Sequence, residues 1–477
     1  MKNIISNGAA KLTVFTAVAL LAGCTTVDFN QSVVKTNQQA VAFTQGHLAL
    51  AQTEVQRQTR LNAAQTLLAQ PLNQTNAVKL ALLNSPSLQA LLAQHWADAA
   101  QAAQGARIAN PVFSFERMVT LSELELGRFL SVGLLDILSL PQRQQQARAK
   151  LDIAQLQLTS TVIDEVTKVR MAWVKAVAAA QTQAFAQNVH DAAKASATLA
   201  QRMQAIGNFT KLQRARQQGF YAVATSQWAQ AQQNAVAQRE ALVRLLGLND
   251  AQAQNMRLDE RLPNLPEQTR SADEITQAAA AMRLDVQMAK AELDYAVNAQ
   301  GLAKLMSFTD IELGARRDTT YERADGHKTT KRGAEISIAL PIFDWGDQKR
   351  AAMNAQTLAA SYRVEATTVA ASSMLRESYA AYRTAYDIAK HYRDEIVPLS
   401  KAISDENVLR YNGMFIGVFE LLADTREQIG VVMGAINAQQ QFWLADAALQ
   451  ATIVGKPMMV NMEAIAPTGG GGGDAKH

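Results

Sequence analysis

In the stretch Leu130-Ser-Val-Gly-Leu-Leu-Asp-Ile-Leu-Ser-Leu-Pro141 the chain changes its period. Leu130, Val132 and Leu134 alternate with Ser131 and Gly133, the pattern of a strand with one apolar face. From Gln142 to Ile206 there is neither Pro nor Gly. A single helix over that tract holds about 65 residues and is roughly 100 Å long, about three times the apolar thickness of a bilayer. Val162, Val166, Val169, Trp173 and Val177 lie three or four apart and make a helical seam. The abundant Ala and Gln around it permit close helix neighbours.

The same plan recurs later in the chain. Ile336-Ser-Ile-Ala-Leu-Pro-Ile-Phe-Asp-Trp-Gly346 again alternates, with Ile336, Ile338, Leu340 and Ile342 on one side. It opens a helical tract from Asp347 to Asn412 that only Pro398 interrupts. Two more alternating stretches stand upstream: Phe113 and Phe115 against Ser114 and Glu116, then Ile311, Leu313 and Ala315 against Glu312, Gly314 and Arg316. Each half begins with a helical segment, near 75–109 and 272–304. The segment 257–270, with two prolines and mixed charge, reads as the linker. The expected organisation is therefore a first repeat at 65–256, the linker 257–270, a second repeat at 271–455 and a tail at 456–477.

Composition agrees with long packed helices. The chain has 477 residues, 48% hydrophobic and 18% charged, with 6% aromatics and 10 prolines. That excludes a disordered chain and favours helix. Its one cysteine excludes an intrachain disulfide framework and a multi-cysteine metal site. Charge is nearly balanced at +4, which gives no reason to expect nucleic acid.

The N-terminus reads as a processing signal. Lys2 and Lys11 precede an apolar run, Leu12 to Leu21, ending in Leu21-Ala22-Gly23-Cys24. That run is shorter than the about 20 residues a spanning helix needs, so 1–23 is expected to be a signal peptide. Leu-Ala-Gly-Cys resembles the bacterial lipobox, which implies acylation of Cys24 and a lipid-anchored segment 24–64. Thr25, rather than Asp, favours the outer membrane. The alternative is an ordinary signal peptide with a chance cysteine.

The alternating strands suit a soluble sheet or a membrane barrel. Four strands are too few for a closed membrane barrel, which takes at least about eight, and an open sheet edge is not tolerated in lipid. If the strands span a membrane, several chains share one barrel.

Taken together, these features resemble the outer-membrane efflux protein family, the TolC-like channels, over about Gln65 to Gly455. Besides the duplication and the two strand-to-helix junctions, the resemblance rests on Arg410-Tyr-Asn-Gly-Met-Phe-Ile-Gly-Val-Phe-Glu-Leu-Leu-Ala-Asp-Thr-Arg426 and the less complete Ala205-Ile-Gly-Asn-Phe-Thr-Lys-Leu212, similar to the family's turns between long helices. It implies a mainly α fold: a long periplasmic helical barrel, with four strands per chain contributed to a trimeric twelve-stranded transmembrane β-barrel. It also implies a homotrimer in outer-membrane lipid that exports cargo from an inner-membrane pump through a periplasmic adaptor. The family's turns form the periplasmic gate, and Tyr411, Glu420, Asp424 and Arg426 fall in the matching stretch. Glu420 and Asp424 share a helix face, so threefold symmetry stacks two carboxylate rings. The plainer reading is a solvated face with Arg426 paired to either carboxylate. Gly207 and Gly413 are expected to serve turn geometry.

No catalytic constellation is found: the six histidines form no metal motif, and there is no phosphate-cradling loop or nucleophile elbow. No enzyme activity and no cofactor are expected. His391 and Glu395 read as an exposed i,i+4 pair. Met458, Met459, Met462 and His477 in the tail have ligand chemistry suited to Cu(I), against the simpler reading of a flexible tail. The competing function is a structural lipoprotein that spans the periplasm without transport. A periplasmic adaptor is disfavoured by the two helical hairpins with short strands. The sequence leaves the cargo open, with copper or other heavy metals as one branch.

Overall fold

The computed structural model describes residues 29–306, 311–323, 326–340 and 342–458. Residues 1–23, read above as a signal segment, and Cys24 lie outside them, as do Met459, Met462 and His477. The chain divides into two compact units, one of Met1–Val34, Gln94–Leu158 and Val286–Thr368, the other of Lys35–Ala93, Thr159–Asp285 and Val369–His477.

In chain order the first half contains α1 (Phe29–Thr44), α2 (Glu54–Leu68), α3 (Gln74–Asn84), α4 (Pro86–Gln104), β1 (Val112–Val119), β2 (Glu123–Gly133), α5 (Leu134–Leu138), α6 (Leu140–Ala205), α7 (Lys211–Leu246) and α8 (Asp250–Asn255). The second contains α9 (Ala272–Met282), α10 (Leu284–Met306), β3 (Ile311–Glu322), β4 (Lys328–Ile338), α11 (Asp347–His391), a π-turn (Tyr392–Ile396), α12 (Val397–Asn412) and α13 (Val418–Ile453). Element lengths in the two halves match in places. α3 and α9 have 11 residues each, and α7 and α13 have 36 each. The tract from Asp347 to Asn412 equals the 66 residues of α6.

The unit with the strands holds one antiparallel sheet in the order β1-β2-β3-β4. β2 pairs with β3 from Glu123 opposite Glu322 to Gly133 opposite Glu312, which joins the hairpins of the two repeats. β1 and β4 are the unpaired edges. Two of the alternating stretches end sooner than their pattern predicts. β4 closes at Ile338, so Leu340 and Ile342 lie exposed outside the ladder, and Leu134 opens α5 instead of closing β2. Arg143 fixes this junction, donating to Asp136 Oδ1 at 2.8 Å and to the Gly105 carbonyl at 3.2 Å.

The other unit holds the larger cores. The seam residues Val162, Val166, Val169, Trp173 and Val177 are all buried, and Trp173 Nε1 donates to the Leu72 carbonyl at 2.6 Å. The second repeat packs Phe442 against Tyr382 and Tyr386, with ring centroids 5.6 Å away in each case. A buried polar network joins α6 to α13: Arg170 donates to Gln450 Oε1, and Gln450 donates to Asp446 Oδ2 at 2.6 Å. Burial lowers the Arg170 pKa to about 10 and raises that of Asp446; the charges of Arg170 and Arg270 and the Gln450 hydrogen bond oppose the rise at Asp446.

Each repeat's opening helix, expected as one segment, is two. In the first, Ser85 precedes Pro86 and takes an extended ψ of 118°, as pre-proline sterics favour. In the second, Arg283 takes ψ 103° and its guanidinium binds the Ala371 carbonyl and Asp285. Both breaks dock on the end of the hairpin's last helix. Asn84 donates to the Gly247 carbonyl at 2.8 Å, and Leu284 N–H to the Val454 carbonyl at 2.9 Å. Gly247 (φ 65°) and Gly455 (φ 90°) are left-handed there. A Cβ on either would come within 2.2 Å of Pro86 or 2.5 Å of Asp285.

Candidate functional site

Two regions have the surface chemistry of a working part: the sheet and the ends of the helical hairpins. They belong to different units, and each stands on its own geometry.

Directly opposed residues of an antiparallel pair share a face, so the register sorts every strand residue. One face takes Phe113, Leu130, Leu313 and Ile336 with their alternate neighbours, and it is apolar over its lower rows. The other takes Ser114, Glu116, Ser131, Glu312 and Asp318. On this polar face Arg316 Nε donates to Asp318 Oδ2 at 2.9 Å, and the Arg316 guanidinium lies 3.8 Å from Glu116. The apolar residues are uncovered, with Phe113 63% exposed, Ile336 64% and Leu130 47%. A soluble sheet would bury that face. At one end of the sheet, the Arg323 N–H donates to the Ser122 carbonyl at 2.8 Å and ties the two hairpin turns together.

The hairpin ends lie in the other unit. In the first repeat α6 ends at Ala205, Gly207 turns left-handed at φ 84°, and the Asn208 N–H reaches the Met203 carbonyl at 2.9 Å. Thr210 then caps α7 in a reciprocal box with Gln213, the two bonds measuring 3.2 and 2.7 Å. In the second repeat Gly413 stops α12 with an ordinary φ of −78°, and the left-handed residue is Met414 at φ 62°. The turn closes through the Phe415 N–H on the Arg410 carbonyl at 2.8 Å. Gly417 opens α13 with no side-chain cap. Met414 and Phe415 point outward, 93% and 83% exposed. Their signal in the sequence is an apolar pair in a turn where polar residues are the rule.

Tyr411 is exposed at the end of α12, Glu420 is exposed in the first turn of α13, and Asp424 lies half-buried one turn further on. Asp424 Oδ2 is buried without a hydrogen bond. Arg426 lies over the Phe220 ring of α7, 4.3 Å from its centroid, and desolvation lowers its pKa. Among the described residues no ion pair joins it to Glu420 or Asp424. The plainer expectation of such a pair therefore has no counterpart here. His391 and Glu395 form an exposed pair at 3.2 Å, and Met458 is half-buried after α13.

Solved structures share this architecture. The chain is similar to the CmeC outer membrane channel of Campylobacter jejuni, at 14% identity over 83% of this chain and 86% of that one, with a TM-score of 0.65. It is similar to the outer membrane protein VceC of Vibrio cholerae, at 15% identity over 83% and 97%, with a TM-score of 0.63. A membrane protein of Pseudomonas aeruginosa matches at 19% identity over 82% and 93%, also at 0.63. No protein-family model and no curated protein sequence matches. The likeness is one of fold: the chain has the TolC-like arrangement of long helices and four antiparallel strands that the resemblance implies.

Proposed function

We propose, with that fold as the premise, that the chain is the outer-membrane channel subunit of a tripartite efflux or secretion system. It is a passive duct with no reaction of its own. The observation that carries this reading is a sheet with an uncovered apolar face and two unpaired edges. In lipid such edges must close, and three copies supply twelve strands, joining β4 of one chain to β1 of the next. The apolar face then meets lipid and the polar face lines water. The hairpin ends support docking of a periplasmic adaptor, with Met414 and Phe415 as the apolar contact. They support a gate in the same place: threefold symmetry stacks Glu420 and Asp424 into two acidic rings, with the orphan Asp424 oxygen able to accept from a donor of the next subunit. Acylation of Cys24 would add a lipid anchor.

The test is purification from membranes in mild detergent. A heat-sensitive trimer with discrete conductance in planar bilayers is expected, and Asp424→Asn should raise that conductance. A monomer without conductance would leave the periplasm-spanning scaffold as the answer. Growth of a deletion strain on copper, silver and hydrophobic drugs then assigns the cargo.

A further inference from the structure

The register that sorts apolar from polar residues also sorts the charges, and it does so unevenly. Every acidic residue of the four strands stands on the polar face, Glu116, Glu125, Asp318 and Glu335 among them. The apolar face has no carboxylate, yet it carries cations. Arg128 of β2 stands opposite Arg317 of β3, which stands opposite Arg332 of β4. Arg117 of β1 is one row nearer the hairpin turns. Lys328 is one row beyond that, its Nζ 5.5 Å from the centroid of the Tyr321 ring.

Like charges placed directly across strands repel, and their Cβ atoms lie only about 5 Å apart. On the polar face Arg316 has carboxylates within reach, Asp318 and Glu116. The arginine row differs: none of its members has an acidic partner among the described residues, and Arg317 and Arg332 are exposed. The four strands offer no counter-charge on that face.

Position along the strands says where one would come from. On the side away from the hairpin turns, the rows next to the arginines are Phe113–Leu130–Ala315–Ala334, then Val132–Leu313–Ile336, then Ile311–Ile338. That is a continuous apolar band with the arginines along one border and Tyr321 just past them. Arginine on a lipid-facing strand is costly at the bilayer midplane and tolerated at its interface, where tyrosine also collects. Guanidinium groups present paired donors that match phosphate oxygens.

We infer that Arg128, Arg317 and Arg332, with Arg117 beside them, form a lipid-facing belt that binds the phosphates of lipid headgroups in the leaflet nearest the hairpin turns. In a trimer the row repeats three times around the barrel. This rests on the barrel reading above, so its test must separate the two.

Trimers are purified in detergent, mixed with lipopolysaccharide or with the same lipid stripped of phosphate by alkaline phosphatase, and the retained lipid is counted by native mass spectrometry. The intact lipid should be held roughly tenfold more tightly than the stripped one, and the Arg128→Gln/Arg317→Gln/Arg332→Gln variant should lose that preference. Lys331→Gln, a cation removed from the polar face, should keep it. Inorganic phosphate should compete only weakly, because it lacks the acyl chains. Equal retention of intact and stripped lipid by the unaltered protein overturns the inference, and that comparison does not depend on the variant folding. Equal retention by a properly trimeric triple variant overturns it too. If the unaltered protein yields neither trimer nor conductance, the barrel reading itself fails.

Discussion

The turn between α6 and α7 and the turn between α12 and α13 meet the same need with different residues. The first spends a glycine on its left-handed position and a threonine on its cap, so both helix ends are satisfied by residues suited to them. The second puts Met414 in the left-handed position, leaves α13 to a glycine cap, and exposes two large apolar side chains at its tip. At the opposite end of the hairpins the repeats agree, with Gly247 and Gly455 each left-handed and each pressed against the break in its own opening helix. The two hairpins carry matched residues at the end where packing dictates them. They differ at the exposed end, where packing makes no such demand.

The largest effect should come from the matched end. Gly247→Ala and Gly455→Ala each impose left-handed strain and a steric clash, and each should cost about 2–4 kcal/mol in thermal or denaturant unfolding. Markedly unequal losses would break the equivalence of the two ends. The turns should respond in opposite directions. Gly207→Ala is expected to cost about 1–2 kcal/mol, while Met414→Gly should relieve strain and stabilise by about 1 kcal/mol. Hydrogen exchange should then slow at the start of α13 in the Met414 variant and quicken at the end of α6 in the Gly207 variant.

The smallest effect concerns pH. His95 in α4 is buried, and burial pushes its pKa below the ordinary value, with Asp98 pulling weakly the other way. A base depressed in the folded state binds fewer protons than it does unfolded. Its contribution to stability is therefore present above its ordinary pKa and lost as the pH falls through the folded value. Unfolding temperatures compared at pH 8 and pH 5 should show a smaller drop for His95→Gln than for the unaltered protein.

Much of the fold is legible in the sequence because it is periodic. Alternation finds a part of each of the four strands but misses the turn-ward halves of β2, β3 and β4, where Arg, Thr and Lys interrupt the apolar series, while the absence of Pro and Gly from 142–206 fixes α6 closely. Pro398 marks the interruption of the second tract but not its form, a π-turn at Tyr392–Ile396 just ahead of the proline. The helices α1 and α2 have no strong period and go unread in the sequence. The candidate site is less legible, because its partners come from far along the chain. Nothing local to Arg426 points to Phe220, and nothing local to Arg128 points to Arg317 and Arg332. The linker shows the same limit: its prolines mark it as a connection, while the donors that hold it sit on α11 and α13.

Those donors have a consequence for how the protein tolerates change. Trp443 and Gln439 donate to the Pro263 carbonyl at 3.0 and 2.7 Å, and Tyr386 donates to the Pro266 carbonyl at 3.0 Å. In these bonds the strap contributes only main-chain oxygen, which every amino acid possesses. Leu262 and Leu265 are its buried side chains. A saturation scan across 257–270 should find those two positions restrictive and most others permissive, with the intolerance displaced onto Tyr386, Gln439 and Trp443. Over evolutionary time the connector is free to drift in sequence while its path stays put, because the memory of that path is stored in the helices beneath it.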